Sequence, residues 1–173
     1  MKQSRIIGTA IVIAALASGA GAQQTPLDAT VTLVEALDNA LPFANPAIGS
    51  TGTIEPAAGF HLQIVVLTLG AMPIEAEVSG FMLVSAGGLQ YAPIGVGGGS
   101  DTIVPLDRLP LGREVGQILK SNAIVAVTRT ATTSVTLDAD PHATVALLYE
   151  LPLASVFSAL RLPDGTLLTL DRW

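Results

Sequence analysis

The tightest group of residues that could do chemistry in this 173-residue chain is Asp138-Ala139-Asp140-Pro141-His142. Two carboxylates and an imidazole at alternating positions could offer hard or borderline ligands to calcium or zinc. A cation of that kind takes roughly four to eight donors, and nothing close in sequence supplies the rest. Pro141 fixes its own φ, and acidic residues beside proline at a strand end are ordinary turn chemistry. A soluble turn is therefore the preferred reading of Asp138, Asp140 and His142, and no metal or other cofactor is expected.

Acyl transfer needs a serine activated by a histidine that a carboxylate orients. His61 and His142 are the two histidines, so Ser100 or Ser50 with His142 and Asp140 is the triad that can be written. No Gly-x-Ser-x-Gly elbow is present to expose a serine on a strained turn. Glu75 and Glu77 share one strand face at about 7 Å, near the spacing of an inverting glycosidase pair. Sugar sites also want aromatic platforms, and Tyr91, Tyr149 and Trp173 are thinly spread. The two glutamates read better as charge on a solvated strand that discourages edge-to-edge pairing. Gly95-Val96-Gly97-Gly98-Gly99-Ser100 looks like a phosphate cradle, but Ser100 stands where Gly or Ala is needed. No helix or lysine follows, so it reads as a flexible loop. Trp173 is expected to pack over an open end of the fold. No catalytic, cofactor-binding or metal residue is assigned.

Whatever these residues do must be positioned by strands, and the chain is organised around Phe60 to Leu69. Ten residues without Gly or Pro, rich in β-branched and large apolar side chains, predict a long strand. Phe60, Leu62, Ile64 and Val66 share one face and are expected to be the packing centre. The other face starts with His61 and Gln63, expected to be solvated, and turns apolar at Val65, Leu67 and Leu69. A strand apolar on both faces is central and needs a second cover, from a loop or a partner chain.

Around it, Thr30 to Leu37 reads as a strand and Leu41 to Gly59 as a Gly/Pro-punctuated loop. Ile74 to Ser85 is a strand broken at Gly80, and Gly87-Gly88 a hairpin turn into Leu89 to Pro93. Thr102 to Leu106 is a short strand, and Pro110 to Leu119 is either a small helix or a loop. Ala123 to Arg129, Ser134 to Asp138 and Thr144 to Leu151 are strands. Ala159 to Leu162 and Thr166 to Leu170 form a hairpin over Pro163-Asp164-Gly165. About seven to nine strands with turns every ten residues or so predict an all-β antiparallel sandwich.

Residues 1–22 carry Lys2 and Arg5, then an apolar run from Ile6 to Leu16, then Ala20-Gly21-Ala22. That is the pattern of a signal peptide cleaved before Gln23. The run is shorter than the roughly 20 residues a membrane span needs, so no stable anchor is expected after cleavage. Residues 23–173 then form a single domain in the periplasm or outside the cell. No cysteine is present, which excludes disulfides, cysteine ligands and a cysteine nucleophile. Six basic side chains face fourteen acidic ones in that domain, and no basic cluster survives to bind nucleic acid. Half of all residues are hydrophobic but only 4% aromatic, so apolar surface should remain once a core is filled.

The order of features resembles a group of bacterial secreted immunoglobulin-like domains of unknown function. The matching pieces are Thr30 to Ala36, the loop ending Glu55-Pro56-Ala57-Ala58-Gly59-Phe60, and the long strand. Phe81-Met82-Leu83-Val84, Gly87-Gly88-Leu89-Gln90-Tyr91 and Leu148-Tyr149-Glu150-Leu151-Pro152 complete it. The chain departs from the pattern between Gly95 and Leu119. The resemblance implies an immunoglobulin-like β-sandwich serving as a non-catalytic binding or accessory module, with an unknown protein or small ligand as partner. The alternatives are a structural subunit of an oligomeric envelope or surface assembly and, further off, a small hydrolase or metal-dependent enzyme.

Overall fold

The computed structural model describes residues 12–13, 26–37, 40–45, 49–100, 102–118 and 123–170. Trp173 and the expected cleavage site at Ala22-Gln23 lie outside the described residues. The strands are β1 (Val12–Ile13), β2 (Ala29–Leu37), β3 (Leu41–Asn45), β4 (Ser50–Ile54), β5 (Phe60–Leu69), β6 (Ile74–Glu77), β7 (Met82–Ser85) and β8 (Gln90–Tyr91). They continue as β9 (Gly95–Gly97), β10 (Val104–Pro105), β11 (Glu114–Ile118), β12 (Ile124–Arg129), β13 (Val135–Ala139), β14 (Thr144–Pro152), β15 (Phe157–Arg161) and β16 (Leu167–Thr169). The described residues are all-β, and every pairing between these strands is antiparallel. These sixteen segments, several only two or three residues long, make up what the spacing reads as seven to nine strands.

The central sheet runs β10-β9-β14-β5-β2. β5 pairs along its whole length with β14, from Phe60 opposite Pro152 to Thr68 opposite Thr144. Two further sheets, β1-β16-β15-β7-β8 and β11-β12-β13-β6, pack on one of its faces. Val65, Leu67 and Leu69 of β5 and Val145, Leu147 and Tyr149 of β14 meet Leu83, Leu160 and Leu168 from one sheet there. Val125, Val127 and Leu137 come from the other. The opposite face carries Leu62, Ile64, Val66, Ala146 and Leu148. Leu41 and Ile54 of the β3–β4 hairpin close over it, with Ile94 and Ile103.

β5 is thus central and covered on both sides, as its composition predicts, but three details differ from the sequence reading. The cover is a hairpin built from the stretch read as a loop. The larger core lies on the Val65–Leu69 face, while Leu62, Ile64 and Val66 sit in the smaller one and Phe60 remains 39% exposed. Gln63 is buried rather than solvated, and His61 is half-buried. The reason is the width of β5: where both faces are apolar, alternation separates two sets of side chains without ranking them.

Two more segments are corrected. Gly95 to Gly97 is a buried strand, not a flexible loop. A Cβ on Gly97 would stand 2.6 Å from the carbonyl oxygen of Thr102, so glycine here admits a close backbone crossing. Residues 114–118, read as helix or loop, form β11 against β12. At Gly80 the expected break is a single 3₁₀ turn, Val78–Gly80, before β7.

Candidate functional site

β5 spans the sandwich from end to end, and the turns at its two ends have opposite chemistry. At its C-terminal end, polar side chains clip the turns. Asp164, in the β15–β16 turn, accepts hydrogen bonds from Leu27 N (2.6 Å), Thr166 N (2.9 Å) and Thr166 Oγ1 (2.9 Å). The residue after it, Gly165, has φ 89°, as the Asp-Gly signal requires. Asp140 accepts from Ile124 N at 2.8 Å while its own amide donates to Ile124 O at 3.0 Å. The amide of His142 donates to Gly70 O at 2.9 Å, with His142 itself at φ 60°.

The same bonds place the three residues of the Asp138–His142 segment. Asp140 is committed to a β12 amide, His142 is a left-handed turn residue, and Asp138 faces outward across from Glu75. Among the described residues no group of three or more His, Asp or Glu stands where it could hold a metal ion. Glu77 accepts a hydrogen bond from Ser134 Oγ at 2.6 Å on the same exposed surface. Ser50 opens β4 opposite Asn45, and Ser100 lies in the turn after β9. No hydrogen bond joins a serine to His61 or His142 among the described residues. Tyr149 is equally committed: it is fully buried, and its hydroxyl donates to Phe81 O at 3.1 Å. Burial holds its phenol well above the ordinary value of 10.0.

At the other end of β5 the turns are uncharged and their tips apolar. Three converge: the turn before β5 around Ala57–Phe60, the β7–β8 turn around Ala86–Leu89, and the β14–β15 turn around Leu153–Val156. Backbone bonds join them, Leu153 N to Gly59 O at 3.1 Å and Ala86 N to Val156 O at 2.8 Å. Tyr91 and Phe157 brace them from behind with an edge-on ring contact at 5.9 Å. Outward stand Leu89 (64% exposed), Leu153 (65%) and Val156 (70%), with Phe60 beside them. No Asp, Glu, Lys or Arg occurs in residues 56–61, 81–91 or 152–160. The nearest carboxylates in sequence, Glu55 and Glu150, stand behind the tips, and Glu150 accepts from Ala57 N at 2.7 Å.

Just inside this end, the carboxamide of Gln63 is buried and makes no hydrogen bond to a described residue. Sequence reasoning did not single out the apolar tips. Their signal is a large apolar residue placed directly after turn residues: Gly88-Leu89, Pro152-Leu153 and Gly59-Phe60. That pattern becomes a site only when three distant turns are brought together.

No known protein family, curated protein or solved structure matches the chain. What the fold and the turns define is a class: an all-β sandwich with Asp140 and Asp164 clipping the turns at one end and exposed apolar tips at the other. No helix among the described residues is long and apolar enough to cross a membrane.

Proposed function

We propose that this protein is a non-catalytic binding or accessory module, acting in the periplasm or outside the cell, that engages its partner through the uncharged loop end. The observation that carries the reading is the meeting of Leu89, Leu153 and Val156, each more than three-fifths exposed, on two turns joined by the bond from Ala86 N to Val156 O. Contiguous exposed apolar side chains on a soluble domain commonly mark an interaction site. Of the residues that could do chemistry, Asp140, Glu77 and Tyr149 already hold a turn, a surface bond and a core bond.

Replacing Leu89, Leu153 and Val156 together by serine tests it. The triple variant should lose most of the wild-type protein's fluorescence enhancement of the apolar dye ANS and its retention on phenyl resin. Unchanged dye binding and retention would remove the loop end as the binding surface.

A structural subunit is the second reading, supported by β2. It ends the central sheet with nine residues that carry a single charge, Glu35, and so offers a long edge for strand addition. Light scattering after size exclusion separates the two: the module should run as a monomer at micromolar concentration, the subunit as an assembly.

A further inference from the structure

We infer that the partner of this loop end is an uncharged lipid surface, into which the tips of Leu89, Leu153 and Val156 insert; this rests on the loop end being the binding surface. Three observations separate lipid from a protein partner. Protein hot spots are rich in Trp, Tyr and Arg, seated in well-packed pockets. The tips here are aliphatic, with Phe60 as their one aromatic residue, and they project from turns instead of lining a groove. A lipid interface asks for that form, since apolar side chains gain by immersion regardless of partner shape.

The second observation is backbone satisfaction. Where water is scarce, an unpaired amide costs several kcal/mol, so a turn that enters the headgroup boundary must bond its own amides. The amides of Ala57, Phe60, Ala86, Gly88, Leu89 and Leu153 all donate within the protein. Leu89 N, for example, donates to Ser85 Oγ at 3.0 Å, and Gly88 N to Ser85 O at 2.9 Å. The tips at Leu89 and Leu153 therefore carry exposed hydrocarbon over amides that already have partners.

The third observation is charge. The three turn segments contain no cation of their own; Arg161 reaches Gln90 Oε1 at 3.2 Å, and the carboxylates Glu55 and Glu150 outnumber it close behind. An anionic headgroup would be repelled by those carboxylates and by the excess of acidic side chains in the chain, whereas a zwitterionic one would not. The preference should run from zwitterionic to anionic surfaces, the reverse of a polybasic membrane binder.

The absence of cysteine makes the test direct. The exported protein carries a single environment-sensitive dye, either on Val156→Cys at the loop end or on Met72→Cys at the clipped end. It is then mixed with phosphatidylcholine vesicles. The dye at position 156 should shift to the blue, the dye at 72 should not, and the response should survive 0.5 M salt because apolar insertion is not screened (about 4 Å Debye length there). Co-flotation of the unlabelled protein should fall at least tenfold in the Leu89→Ser/Leu153→Ser/Val156→Ser variant. Vesicles containing phosphatidylglycerol should bind less protein at low salt. Equal shifts at both positions, no shift at 156, or co-flotation untouched by the triple substitution would overturn the lipid assignment. If ANS and phenyl-resin binding still depend on the tips while vesicles do not bind, the partner is a protein and the module reading stands; loss of both dependences overturns both.

Discussion

The two ends of the sandwich are made of the same material, short turns between the same strands, yet they are stabilised in different proportions. At the C-terminal end of β5, carboxylates hold the turns: Asp164 gathers Leu27 and Thr166, and Asp140 holds the start of β12. At the N-terminal end the turns hold one another through backbone bonds, with Ser85 and Glu150 the side chains that help. A side chain spent on clipping a turn is not free to meet a partner. The uncharged end leaves its tips free, and those tips are apolar. Exposure alone does not make the distinction, because Met72 (66%) and Ile124 (47%) are exposed at the clipped end too. They stand among acidic turns, whereas the segments that carry Leu89, Leu153 and Val156 contain no charged residue.

The comparison presumes a rigid middle, and the largest expected effect tests that. Ile64→Ala should destabilise the protein by about 2–5 kcal/mol, combining lost burial with a residual cavity. Gln63→Ala should cost far less although Gln63 is equally buried, because its carboxamide brings no hydrogen bond to described residues and its burial is already a cost. Urea unfolding of both variants checks the pair. A small loss at Ile64 would mean the two ends do not share a fixed frame.

Next in size is Asp164→Ala, which removes one acceptor from three donors. Charge-assisted bonds are worth about 1.5–3 kcal/mol singly and do not add, so a loss of about 2–3 kcal/mol is expected. Thermal unfolding that was unaffected would erase the difference between the clipped and unclipped ends.

Tyr149 links the central sheet to the strand start at Phe81, between the two ends. Tyr149→Phe should cost about 1–3 kcal/mol by leaving the buried Phe81 carbonyl unpaired. Its phenol pKa is raised in the folded state, so folding favours the protonated form. The stability this represents is present below pH 10 and is lost as pH climbs through the folded pKa. Wild-type protein should therefore lose stability above pH 10 more steeply than Tyr149→Phe, which chemical unfolding across pH 8–12 would show.

The smallest effect belongs to the apolar tips. The Leu89, Leu153 and Val156 serine variant should unfold within about 0.5 kcal/mol of wild type, since these side chains are mostly in water already. A larger loss would mean that the tips pack on each other and serve the fold instead of a partner.

Much of this architecture is local enough to be written in the sequence. Phe60 to Leu69 reads as a strand because every residue in it suits a pleated surface. The turns at Gly87-Gly88 and Pro163-Asp164-Gly165 are legible because so few residues accept their backbone angles. The uncharged character of the segments around Leu89, Leu153 and Phe60 is also plain in the sequence.

Tertiary structure decided the rest, and in each case the local signal was compatible with two outcomes. Alternation divides β5 into two faces but says nothing about which meets two sheets and which meets a hairpin, so Ile64 and Val65 exchanged importance. Glycine at position 97 suits a flexible loop as well as a buried strand, and only the crossing of Thr102 excludes the loop. Spacing alone places Asp138, Asp140 and His142 together, whereas the fold turns Asp138 toward Glu75 and sets Asp140 on the Ile124 amide. Phe60, Leu89 and Leu153, roughly 30 and 65 residues apart, become one surface only because β5, β7, β14 and β15 have ends on the same side of the sandwich. Residue type and spacing set what each segment can do alone, and the meeting of distant segments selects which of those capacities is left exposed to a partner.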